Sequence, residues 1–89
     1  MPKVSFTSAL QRFLAAPSAE VEGGTVGEAL AAVFALRPAL RGYVLDDQGA
    51  VRRHVSIYVN GEPIADRARL TDKVGAHDEI YVLQALTGG

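Results

Sequence analysis

Residues 25–38, TVGEALAAVFALRP, restrict the fold of this 89-residue chain more than any other segment. They form a single stretch of helical periodicity in a sequence otherwise patterned for strands. Thr25 and Glu28 have the spacing of a capping box, in which each side chain serves an orphan N–H of the first turn. Val26, Leu30, Val33 and Phe34 recur at helical spacing around Ala29, predicting one apolar stripe. Pro38 ends the helix, because the residue before a proline avoids helical dihedrals; Ala39–Gly42 can add one more turn. A lone helix with one apolar stripe has to bury it on something other than a second long helix, and a sheet is the simplest partner.

The rest of the chain supplies the strands. KVSFTS (3–8) sets Val4 and Phe6 against Lys3, Ser5 and Thr7 with period two. Leu10, Phe13 and Leu14 follow in a polar setting, a loop that sends a side chain or two into the core. PSAEVEGG (17–24) predicts a short strand over Ala19–Glu22 that stops at Gly23-Gly24, where a turn is a sufficient reading. DDQG (46–49) is a turn. HVSIYV (54–59) alternates Val55, Ile57 and Val59 against His54, Ser56 and Tyr58, and Asn60-Gly61 then closes it with residues suited to the positive φ angles of a type I′ turn. Glu62–Ile64 begins the return, with Pro63 holding it at an edge. Leu70 and Val74 anchor a polar connection, and EIYVLQAL (79–86) is the last strand. The expected fold is α+β: a mixed sheet with one main helix packed on one face. Its order is that of a ubiquitin-like β-grasp, in which the first and last strands lie side by side at the sheet centre.

Composition narrows the chemistry. There are no cysteines, which removes disulfides, thiolate metal sites and a cysteine nucleophile together. A formal charge of −1 gives no electrostatic case for nucleic acid or an anionic membrane. No apolar run is long enough for a signal peptide or a membrane span, so the expectation is a soluble, cytoplasmic protein.

No internal cluster reads as an active site. His54 and His77 lack metal-ligand spacing and read as surface histidines. Asp46-Asp47 and Asp78-Glu79 are adjacent pairs whose side chains diverge, better suited to turns than to acid–base work. Arg52-Arg53 is too short a basic run to imply nucleic acid. If Val55, Ile57, Val59, Ile80 and Val82 face the helix, then Tyr58, Tyr81 and Leu83 share the opposite face. Unless loops 8–18 or 43–53 cover them, they form an aromatic and apolar patch of the kind that meets a partner.

Attention then falls on the end, Thr87-Gly88-Gly89. Glycine maximises backbone freedom and, having no Cβ, passes through narrow channels. The expected organisation is a β-grasp domain over 1–86 and a flexible tail over 87–89, whose one reactive group is the Gly89 α-carboxylate.

A β-grasp domain of this size ending in Gly-Gly resembles the MoaD/ThiS sulfur-carrier proteins. The resemblance spans essentially the whole chain and is strongest in HVSIYVNGEPI (54–64), VGAHDEIYVLQAL (74–86) and TGG (87–89). The length is nearer the molybdopterin-synthase small subunit and the carrier for cysteine synthesis than the thiamine carrier, although YVLQAL replaces the proline-containing approach to the tail common in that small subunit.

The resemblance implies a carrier or small synthase subunit, not an enzyme in its own right. A MoeB/ThiF-like enzyme would adenylate Gly89 with ATP and magnesium, and sulfur from a persulfide donor would convert it to a thiocarboxylate. An acceptor such as a molybdopterin-synthase large subunit would then take the sulfur, for molybdopterin, cysteine or thiamine-type synthesis. The chain itself would hold no cofactor, and its recognition surface would be the face bearing Tyr58, Tyr81 and Leu83. Two alternatives remain: a ubiquitin-like modifier joined to lysines through Gly89, and a plain β-grasp interaction module.

Overall fold

The computed structural model describes residues 1–6 and 18–84, with the backbone alone at Gln84. Among the described residues, five strands and two helices follow in chain order: β1 (Lys3–Phe6), β2 (Ser18–Glu20), α1 (Val26–Leu36), α2 (Ala39–Val44), β3 (Val55–Val59), β4 (Glu62–Pro63) and β5 (Glu79–Gln84). The strands form one mixed sheet in the order β2-β1-β5-β3-β4. The first and last strands are parallel neighbours, with Val4 opposite Ile80 and Phe6 opposite Val82. On its other side β5 runs antiparallel to β3, with Val59 opposite Ile80 and Val55 opposite Gln84. This is the β-grasp arrangement, with β5 at the centre. The predicted loop side chains of Leu10, Phe13 and Leu14, and the expected strand ends beyond Phe6 and Gln84, lie outside the described residues.

The core lies between the sheet and α1. Val26, Ala29, Leu30, Val33 and Phe34 are buried on the helix, and Val4, Val55, Ile57, Ile80 and Val82 on the strands. Burying each of the larger side chains contributes about 2 kcal/mol. Val59 is only partly buried and packs at the margin of this core.

The helix starts as the sequence predicts, with one shift. Thr25 Oγ1 accepts from Glu28 N at 3.1 Å. The Glu28 carboxylate reaches one residue further back than a strict capping box and accepts from Gly24 N at 2.7 Å. Helix α1 ends at Leu36, ahead of Pro38, and α2 runs to Val44 rather than Gly42 because Leu40 and Val44 are both buried on it.

Asn60 and Gly61 have φ of 52° and 87°, the positive pair that a type I′ hairpin requires. Pro63 sits on the edge strand, as expected. Leu70 and Val74 are buried. Leu70 has φ of 59°, an uncommon conformation for a bulky residue. Its carbonyl accepts from Gly27 N at 2.9 Å, which ties the loop to the first turn of α1.

Candidate functional site

The register of β5 decides which side chains share a face. Residues directly opposite one another in a sheet project to the same side. Tyr58 of β3 lies opposite Tyr81 of β5, and Ser56 opposite Leu83. Tyr81 also faces Ser5 of β1, and Tyr58 faces Pro63 of β4. Ile57, Val59, Ile80 and Val82 alternate with these residues and belong to the core or its margin. The three residues expected to form a patch are therefore brought together on the face turned away from α1. Tyr81 is the most open at 40% exposure; Tyr58 and Leu83 are half-buried. The Tyr81 hydroxyl donates to Glu79 Oε2 at 2.6 Å, and this bond raises its pKa above the usual phenol value. The ring is thereby pinned along its own strand as a neutral, flat platform.

Strand β5 also carries the chain out of the sheet. Beyond Val82 its neighbour among the described residues is β3 alone, and Gln84 reaches the first residue of β3. Thr87, Gly88 and Gly89 lie outside the described residues. Covalent geometry alone limits how far they extend: five residues, 85–89, follow Gln84, and fully stretched they span at most about 18 Å. Gly89 is thus tethered within that distance of the sheet end that borders the Tyr58–Tyr81–Leu83 face.

The start of β5 is fixed by an asparagine whose role was not legible in the sequence beyond its turn. Asn60 Nδ2 donates to Asp78 Oδ1 at 2.8 Å, and its Oδ1 accepts from Glu79 N at 2.9 Å. Asp78 in turn accepts from Gly75 N at 2.7 Å. That backbone bond, with Asn60 second, lowers the Asp78 pKa below the ordinary carboxylate value.

Two more carboxylates organise the loop before β5. Asp72 accepts from Ala65 N and Asp66 N. Asp66 accepts from the Thr71 hydroxyl and from the backbone N–H groups of Ala68 and Arg69. Both carboxyls are held below their usual pKa, Asp66 chiefly by the Thr71 hydroxyl and Asp72 chiefly by Ala65 N–H. These are loop-building roles, as is that of Asp46, which accepts from Gln48 N and Ala50 N.

Among the described residues no three His, Asp or Glu side chains group as a metal site, and no helix is long and apolar enough to cross a membrane. His77 is exposed and His54 half-buried.

The model of the ThiS family matches residues 8–89, a span that includes Gly88-Gly89. The chain belongs to the ThiS family. Small archaeal modifier protein 1 of Haloferax volcanii is 35% identical over 71 residues, covering 79% of this chain and 77% of the relative. The crystal structure of SAMP1 from Haloferax volcanii superposes with a TM-score of 0.81 at 28% identity, covering 99% of this chain and 98% of that one. CysO in the Amycolatopsis orientalis BexX/CysO complex gives a TM-score of 0.87 over the whole of both chains, and at 24% identity this likeness speaks for the fold. The chain is a ubiquitin-like β-grasp protein of the sulfur-carrier and modifier type, and members of this family are small carriers rather than enzymes.

Proposed function

We propose that this ThiS-family protein carries sulfur as a thiocarboxylate on Gly89. The observation that carries the reading is the course of the central strand. Gripped by β1 and β3, it runs to Gln84 at the sheet end beside the exposed Tyr81 platform, and residues 85–89 follow in the sequence.

A Gly89 carboxylate oxygen attacks the α-phosphorus of Mg-ATP in a MoeB/ThiF-like enzyme, and pyrophosphate leaves. A hydrosulfide then adds at the carbonyl carbon of the acyl-adenylate; the C–S bond forms, the C–O bond to AMP breaks, and the terminal thiocarboxylate remains. With a persulfide donor, a thiol is also needed to cleave the resulting S–S bond. ATP and magnesium belong to the activating enzyme, which implies a cytoplasmic setting. The acceptor, such as the large subunit of a molybdopterin-type synthase or an enzyme of cysteine or thiamine synthesis, takes the sulfur while the Tyr58–Tyr81–Leu83 face lies against it.

Incubation of the protein with the MoeB/ThiF-type enzyme of its own genome, ATP and sulfide is expected to raise its intact mass by the difference between one sulfur and one oxygen. Deletion of Gly89 abolishes the gain. Absence of both the mass gain and Gly89-dependent AMP release refutes the carrier reading.

The name of the Haloferax relative favours a second reading, in which the same acyl-adenylate ends in an isopeptide bond to lysine. High-mass conjugates in cell extract that vanish when Gly89 is deleted would select it.

A further inference from the structure

The end of the sheet where β5 runs to Gln84 is bordered by arginines that form no ion pair among the described residues. The turn Arg52–Val55, closed by Val55 N donating to Arg52 O at 3.0 Å, leads into β3. Because Val55 lies opposite Gln84, this turn flanks the point where β5 departs. Arg52 Nε donates to Gly42 O at 2.7 Å. Arg67 Nη2 donates to Arg52 O at 2.9 Å and to Val55 O at 2.6 Å. Carbonyl oxygens orient these two guanidiniums without neutralising them. Arg53 is exposed and makes no hydrogen bond or ion pair among the described residues. The Asp46 and Asp66 carboxylates keep their charge but accept from backbone N–H groups of their own loops, and neither forms an ion pair with these arginines. At the opposite end of the sheet, where β1 and β5 begin, stand Glu20, Asp78 and Glu79 together with Lys3, His77 and Met1. Arg53 is therefore an exposed cation without an ion-pair partner among the described residues, placed at the end of the sheet where β5 runs to Gln84.

We propose that Arg53, backed by Arg52 and Arg67, is a docking collar for an acidic rim: carboxylates at the mouth of the channel that receives residues 85–89 in the activating enzyme. The proposal rests on the carrier reading and names the partner chemistry of that same site. Its physical purpose follows from the cargo. The tail brings an anionic carboxylate toward a triphosphate, an approach between like charges, and attraction at the rim offsets part of that repulsion and sets the docking direction. A nucleic-acid partner does not fit, because the positive charge is local and the chain as a whole is slightly acidic.

The test is steady-state pyrophosphate release by the MoeB/ThiF-type enzyme of the same genome, with full chain, R53E, R53A and R69E. Arg69 is exposed, and its carbonyl lies by Gly27 in the first turn of α1, so R69E changes net charge equally at a different place. R53E is expected to raise KM about tenfold at low salt with kcat unchanged, R53A less, and R69E by under about twofold. The gap between R53E and the parent closes as salt approaches about 1 M, where the screening length is about 3 Å. A KM for R53E equal to the parent's, with circular dichroism showing an intact fold, overturns the collar and leaves the carrier reading standing. R69E matching R53E also overturns it, since net charge alone would then explain the effect. If the unsubstituted chain gives no Gly89-dependent pyrophosphate, the carrier reading falls and the collar with it.

Discussion

Gly23 and Gly24 are adjacent and read alike in the sequence, yet one added methyl group should separate them sharply. A Cβ at Gly23 would stand 2.6 Å from Ala29 N, 3.0 Å from Ala29 Cα and 3.1 Å from the Glu28 carbonyl carbon. Every one of these atoms is backbone in the first turn of α1. They cannot rotate aside, because Ala29 N is bonded to Thr25 O at 3.0 Å and the Ala29 side chain is fully buried. Restoring ordinary contact requires the segment after β2 to move off the helix by roughly half an ångström or more, and overpacking of this kind costs about 1–3 kcal/mol.

A Cβ at Gly24 meets only Glu28 Oε1, at an ordinary 3.5 Å, and its φ lies outside the left-handed region. Gly24→Ala should therefore stay within about 0.5 kcal/mol of the parent, the smaller entropy of its unfolded chain compensating any small loss. Stability from urea titrations followed by far-UV circular dichroism suits a chain without tryptophan. Gly23→Ala should lower the melting temperature by about 5–20 °C, at roughly 4–8 °C per kcal/mol for a domain of this size. Below its transition it should remain an activation substrate with the parent's KM, since the site of damage is the start of α1 rather than the tail end of the sheet. Equal stability of the two alanine variants would refute the close-approach argument.

Three further outcomes follow from the same structure. Tyr81→Ala, which removes the most exposed aromatic of the sheet face, should weaken binding to the activating enzyme by about 1–2 kcal/mol in a calorimetric titration while changing the melting temperature little. Gly61→Ala places a Cβ at φ of 87° and should destabilise by about 1 kcal/mol in urea, with activation unaffected. Asp66, Asp72 and Asp78 all have pKa values lowered on folding. Their contribution is present above the ordinary carboxylate pKa of about 3.9 and is lost as pH falls below it. A pH series of urea midpoints should show stability falling on acidification through this range, with a shallower fall in Asp72→Asn, which lacks one of the three carboxylates.

Much of the architecture was legible because it rests on local patterns. Val26, Leu30, Val33 and Phe34 announce the helix by period. Thr25 and Glu28 announce its start, and Asn60-Gly61 the hairpin, through the dihedrals those residues tolerate. Tyr58, Tyr81 and Leu83 could be assigned to one face by alternation alone, since a strand's side chains switch sides at every residue. The family resemblance reached Gly89 through the same linear text.

Register was not legible. Nothing within β3 or β5 requires Tyr58 to sit opposite Tyr81 rather than Leu83; a shift of two residues preserves every inward and outward assignment. The long-range roles were equally invisible. Gly23 is required by a helix whose first turn passes over it, not by its own turn. Asn60 serves Asp78 and Glu79 eighteen and nineteen residues later. Arg67 joins Arg52 only because the loop after β4 returns to the start of β3. The sequence alone determined that one helix must cover a mixed sheet and that a diglycine follows the last strand. Tertiary structure decided what surrounds the end of β5: a tyrosine pair on one face and, at the sheet end, a cluster of arginines without ion-pair partners among the described residues. The physical reason is that periodicity is set by neighbours a few bonds apart, whereas register and charge clustering are set by packing between segments that meet only in the folded chain.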